Sequence, residues 1–131
     1  MKTRCFDHID LRVKDLEVAK RFYAQVLPAI GFAVDNGEDG KEFSFGMPGG
    51  GKREFYSVVE DPEHKPNGTR ISFWAETRDE VDRVAEVVKK AGGLVLEGPE
   101  LCVDCTPDYY AFFFEDPDGN KLEICCRTDP K

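Results

Sequence analysis

The chain repeats itself with one residue type changed, and that repeat constrains the fold more than any other feature. Asp7-His8-Ile9-Asp10-Leu11 alternates polar and apolar residues, and Asp15-Leu16-Glu17 then opens an amphipathic helix. Thr69-Arg70-Ile71-Ser72-Phe73 alternates in the same phase, and Arg78-Asp79-Glu80-Val81 opens a second helix. Each half continues into short strands and closes on a strand carrying a glutamate, Glu54 or Glu123. Such self-similarity predicts two copies of one supersecondary unit, each with an apolar face to bury. The altered residue is Arg70, which stands where the first copy has His8.

In the first copy the patterning predicts a strand over about 5–13, a helix over about 15–29 and strands near 31–36, 41–47 and 53–60. Leu16, Ala19, Phe22, Tyr23, Val26 and Leu27 form the buried stripe of the helix, with Gly31 as its stop. Gly-rich turns at 36–40 and 47–51 make the three following strands antiparallel neighbours. The polar, proline-containing stretch 61–68 is the linker. The second copy gives a strand at about 69–76, a helix at about 79–91 striped by Val81, Val84, Ala85, Val88 and Ala91, and a strand at 94–97. A loop at 98–108 follows, then a strand over 109–114, the turn Asp116-Pro117-Asp118-Gly119-Asn120, and a last strand over 121–126. The expected fold is α+β: a duplicated βαβββ module, with module one at 4–60, linker 61–68 and module two at 69–127. Two mixed sheets curve around one cavity, with a helix outside each.

Alternation assigns faces. Ile9, Leu11 and Val13 suit the helix side of the first strand, leaving His8, Asp10 and Arg12 opposite. Ile71 and Phe73 likewise oppose Arg70, Ser72 and Trp74, and Leu122, Ile124 and Cys126 oppose Lys121, Glu123 and Cys125. Glu54 and Tyr56 are placed on the cavity side of the fourth strand. If the sheets close around one concavity, His8, Glu54, Arg70 and Glu123 meet on its floor.

Charge and length exclude several classes. With a formal charge of −8 and no basic run longer than the pairs Lys52-Arg53 and Lys89-Lys90, the chain lacks a nucleic-acid-binding footprint. No apolar run approaches the length of a membrane span, and Met1 to Asp7 lacks the apolar core of a signal peptide, so a cytoplasmic protein is expected. Five cysteines in such a setting are expected to be reduced thiols, the C-x-x-C of Cys102 and Cys105 included. Cys125, on the face of Glu123, reads as a small buried apolar residue rather than a nucleophile.

Asp7-His8-Ile9, Phe22-Tyr23-x-x-Val26-Leu27, Glu54-Phe55-Tyr56, Tyr109-Tyr110-Ala111-Phe112 and Asp116-Pro117-Asp118-Gly119-Asn120-Lys121-Leu122-Glu123 together resemble the vicinal oxygen chelate superfamily. That group contains glyoxalase I, bleomycin-resistance proteins, fosfomycin-resistance enzymes and extradiol dioxygenases. The resemblance covers about 5–127 and is greatest to short glyoxalase-like members. It implies one divalent metal (zinc, nickel, manganese or iron) held by His8, Glu54 and Glu123, with Glu123 or Glu54 moving a proton as the catalytic carboxylate. Arg70 occupies the fourth ligand position and has no lone pair to give. A guanidinium about 4 Å from a dication is repelled by roughly 8 kcal/mol at an effective dielectric near 20. The other outcome is no metal, with Arg70 hydrogen-bonded to the acids instead. The expected ligand is a small molecule contacted by Arg70, Trp74, Tyr56 and Tyr110. A glyoxalase-like lyase or isomerase, a metal-free binding protein of the bleomycin-resistance type and an extradiol dioxygenase are the three readings. A homodimer is expected by analogy with the family.

Overall fold

The computed structural model describes residues 6–34, 42–46, 55–102 and 104–127. Glu54, Cys5 and the two Gly-rich turns of the first copy lie outside the described residues. The chain divides into two units, 1–64 and 65–131, which match the two sequence copies.

Unit one runs β1 (His8–Val13), α1 (Leu16–Ile30), β2 (Ala33–Val34), β3 (Glu42–Gly46) and β4 (Phe55–Glu60). Its sheet has the order β1-β4-β3-β2, with β1 parallel to β4 and the other pairs antiparallel. Asp15 caps α1 by accepting the Glu17 and Val18 amides, which satisfies donors the helix itself leaves open. Gly31 ends the helix in the left-handed conformation. All six residues of the expected stripe are buried.

Unit two repeats this plan with β5 (Arg70–Trp74), α2 (Arg78–Ala91), β6 (Leu94–Leu101), β7 (Tyr110–Glu115) and β8 (Lys121–Cys126). The sheet order is β5-β8-β7-β6, again with one parallel pair, β5 and β8. Thr77 caps α2, and acidic residues in its first turn with lysines in its last complement the helix dipole. Val81, Val84, Ala85 and Val88 pack with Phe112, Phe114, Leu122 and Ile124 among the buried core residues. The turn before β8 is tied by Asp116, whose carboxylate accepts the Asp118 and Asn120 amides at 2.9 Å and the Asn120 side-chain amide at 2.9 Å.

One element differs from expectation. The segment expected to loop from Gly98 continues as strand to Leu101, with Glu100 opposite Ala111 and Leu101 opposite Tyr110. Of two register irregularities, the one between Glu97 and Glu100 absorbs Gly98-Pro99, and β6 is an edge strand, where proline removes no inner-ladder donor.

Candidate functional site

The face of the unit-two sheet turned away from α2 is set by its register. Ser72 lies opposite Glu123, which lies opposite Phe113, so the side chains of three strands line up across the face turned away from α2. Trp74, Cys125 and Ala111 form the next row. Tyr109, immediately before β7, and Arg127, immediately after β8, extend the same period of two.

A buried carboxylate anchors this face. Glu123 is only 5% exposed, and the Tyr109 hydroxyl donates a hydrogen bond to its Oε2. Burial, followed by hydrogen bonding to Cys125 and Glu123, pushes the Tyr109 hydroxyl pKa far above its ordinary value, so Tyr109 remains a donor at neutral pH. Ser72 Oγ lies 3.6 Å from Cys125 Sγ. Around this buried group stand cations on aromatic rings: the Arg70 guanidinium is 4.9 Å from the Phe113 ring centroid, and that of Arg127 is 4.5 Å from Tyr109. Lys121, opposite Arg70 in register, is paired with Glu115 at 3.1 Å. Trp74 is 75% exposed.

Arg70 therefore rests on an aromatic ring, and it is Tyr109 that satisfies Glu123. Arg127 and Tyr109 were not among the residues expected at the site. Carrying the alternation two residues beyond Cys125 and two before Ala111 finds both. Two expected ligand contacts are displaced. Tyr110 sits on the opposite face, where its hydroxyl donates to Asp82 of α2 at 2.6 Å and its pKa is pushed up to about 12 by that bond. Tyr56 is buried beside Tyr23 of α1, 5.8 Å between ring centroids, and Phe32, at 6.2 Å, so it belongs to the core of unit one. The expected reduced state of Cys102 and Cys105 is also corrected. They are joined by a disulfide, because the turn brings their Cα atoms to 5.3 Å, within bonding range.

In unit one, His8 is exposed and stacks flat on Phe55, with ring centroids 4.6 Å apart and planes 4° from parallel. Its Nδ1 lies 2.8 Å from the Asp7 carboxylate and its Nε2 3.6 Å from that of Asp10. The hydrogen bond to Asp7, reinforced by the charge of Asp10 and opposed by slight desolvation, raises the imidazole pKa above 6.5.

The order of strands and helices in both units, with these first-strand and last-strand residues, corresponds to a known architecture. A family model, the Glyoxalase/Bleomycin resistance protein/Dioxygenase superfamily, matches residues 6–124. The chain belongs to this superfamily. It is similar to the uncharacterised protein YqjT of Bacillus subtilis, 30% identical over 127 residues, covering 89% of this chain and 94% of the relative. It is similar also to the virulence protein STM3117 of Salmonella typhimurium, 29% identical over 119 residues, covering 90% and 81%. Its fold is that of a glyoxalase/bleomycin resistance protein from Albidiferax ferrireducens, with a TM-score of 0.77, 24% identity and coverage of 95% and 100%.

The resemblance implies metal ligands at His8, Glu54 and Glu123, with Arg70 in the fourth position. Among the described residues no three His, Cys, Asp or Glu side chains converge as a metal site. Arg70 has no lone pair to offer, and Glu123 already accepts the Tyr109 hydroxyl. Of the described ligand positions Arg70 alone has no lone pair for a cation, and Glu54 lies outside the described residues.

Proposed function

We propose that this glyoxalase-superfamily chain binds a small oxygenated anion or thiol adduct on the face of the unit-two sheet turned away from α2 and acts on it as a lyase or isomerase. In this reading a guanidinium takes the role that a metal ion has elsewhere in the superfamily. The observation that carries the reading is the row Ser72–Glu123–Phe113, in which Arg70 lies over Phe113 and Tyr109 holds Glu123. Arg70 and Arg127 receive the ligand's oxygens, because guanidinium offers planar, permanently charged donors to a carboxylate or an enolate. Tyr109 engages Glu123 Oε2, and in this reading Oε1 accepts a proton from the carbon beside the carbonyl. As the proton leaves, charge builds on the carbonyl oxygen, and Arg70 stabilises it there. Return of the proton to the neighbouring atom completes an isomerisation.

The test is proton exchange. The hemithioacetal of methylglyoxal with a thiol is incubated in deuterated water with chelator-treated protein and followed by NMR. Exchange or turnover that survives chelation and is lost in Glu123→Gln and Arg70→Met supports the reading. Turnover restored only by nickel, zinc, manganese or ferrous iron, and lost in His8→Ala, supports the metal-dependent reading instead.

A second reading rests on Trp74. An exposed indole in the row next to Glu123 suits stacking of a flat ligand, as in metal-free sequestration. Trp74 is the single tryptophan, so quenching of its fluorescence reports such binding directly. Quenching without turnover favours that reading.

A further inference from the structure

The Cys102–Cys105 bond lies next to the buried group of unit two. We propose that this disulfide is redox-active, opened by a low-molecular-weight thiol at Cys105, and coupled through Tyr109 to Glu123.

Three observations carry this. First, the bond spans a sequence separation of only three residues. A disulfide stabilises mainly by restricting the unfolded chain, and the restriction is smallest for the shortest loops, so this bond is a poor structural staple. Secondly, its two ends differ in environment. Cys105 is exposed, whereas Cys102 is half-buried and packs against the cluster of Tyr109, Ala111 and Cys125. An attacking thiolate therefore reaches one sulfur, and the other departs towards the buried cluster. Thirdly, the Cys102 amide donates to the Tyr109 carbonyl at 2.7 Å, and the Tyr109 hydroxyl donates to Glu123. Movement of Cys102 on release is thereby passed to the residue that orients the carboxylate.

The exchange balances with two thiols. The thiolate of the first attacks Cys105 Sγ, forming a mixed disulfide, and the Cys102–Cys105 bond breaks with its electron pair passing to Cys102 Sγ, which takes a proton from solvent. A second thiolate attacks the small-molecule sulfur of the mixed disulfide. Oxidised small-molecule disulfide leaves, and Cys105 is protonated in turn. The protein gains two electrons, supplied by the two thiols.

The experiment equilibrates the full chain in glutathione buffers from fully oxidised to fully reduced, quenches with acid, alkylates in denaturant and counts labelled cysteines by mass. Two labels more per chain at the reducing end are expected, with a midpoint inside the buffer range, and Cys105→Ser abolishes the transition. The Tyr109 ring resonance, assigned by its loss in Tyr109→Phe, moves with the same midpoint, while the Tyr23 resonance in unit one does not. A pair that stays closed in every buffer until the chain unfolds is an inert staple and overturns the proposal. So does a pair that remains as thiols throughout. A clean transition with an unmoved Tyr109 signal overturns the coupling to Glu123.

Discussion

The two units place a basic side chain at the same point of the same fold and surround it in different ways. In unit one the group is His8, lying on Phe55 of the parallel partner strand with the local carboxylates of Asp7 and Asp10 beside it. In unit two it is Arg70, lying on Phe113, a ring two strands away, and the acid of that row is buried and held by a tyrosine. The first arrangement is exposed and titrates. The second has a permanent charge and a carboxylate fixed by burial. The two rings stand at different register positions, Phe55 directly opposite His8 and Phe113 two strands from Arg70, so each unit supplies its own platform.

The largest difference to test is the edge. The described edge of unit one is Ala33–Val34, whereas unit two is edged by the eight-residue, bulged β6. That strand depends on Gly98, whose φ is +87° and whose added Cβ would lie 2.4 Å from the Ala111 carbonyl oxygen. Gly98→Ala is expected to cost about 3 kcal/mol in urea unfolding, since strain and a backbone clash add. Gly68→Ala, where nothing lies within 4 Å, should fall within about 0.5 kcal/mol of wild type. Equal losses at the two positions would show that the bulge is not what fixes this edge.

Tyr109→Phe comes next. It strips a buried carboxylate of its hydroxyl donor and should cost about 1–3 kcal/mol, whereas Tyr110→Phe, whose bond to Asp82 is exposed, should cost about 1 kcal/mol or less. Reversal of that order would mean that Glu123 is not satisfied through Tyr109. Smaller still is the coupling between Arg70 and Phe113. A double-mutant cycle with Arg70→Met and Phe113→Leu should return about 0.5–1 kcal/mol, the value of an exposed cation–aromatic contact. A cycle that closes at zero leaves Arg70 without a platform.

Much of this contrast was readable in the sequence, and the misreadings have identifiable causes. Both helix stripes and the faces of β1, β5 and β8 followed from period, because each has polar residues on one side only. On β4 the run Phe55-Tyr56-Ser57-Val58-Val59 is apolar on both faces, so alternation gave a period without a sign; Tyr23 and Phe32 settle it by packing on Tyr56. Tyr109 and Tyr110 had to point opposite ways, but only the register with Glu123 decides which one reaches the carboxylate. Gly98-Pro99 marked a strand end because the edge position that tolerates proline is a property of the sheet. The disulfide depends on a turn whose geometry no spacing rule fixes. Arg70 in place of His8 is the most informative signal, and among the described residues its side chain lies on the Phe113 ring.

The smallest effect bears most directly on the difference between the two cations. His8 has a pKa raised above 6.5, first by its hydrogen bond to Asp7 and then by Asp10. A folded value above the unfolded one means the imidazolium favours the folded state. That contribution is complete below pH 6.5 and is lost as pH rises through the folded pKa, so stability should decline slightly across the interval just above 6.5. Asp7→Asn should move the imidazole titration, followed by NMR, back towards 6.5 and narrow the interval. Were His8 to titrate at or below 6.5, the aspartates would not be holding its charge. The two platforms would then differ in the strand that supplies the ring, and the switchable cation of unit one would have to be given up.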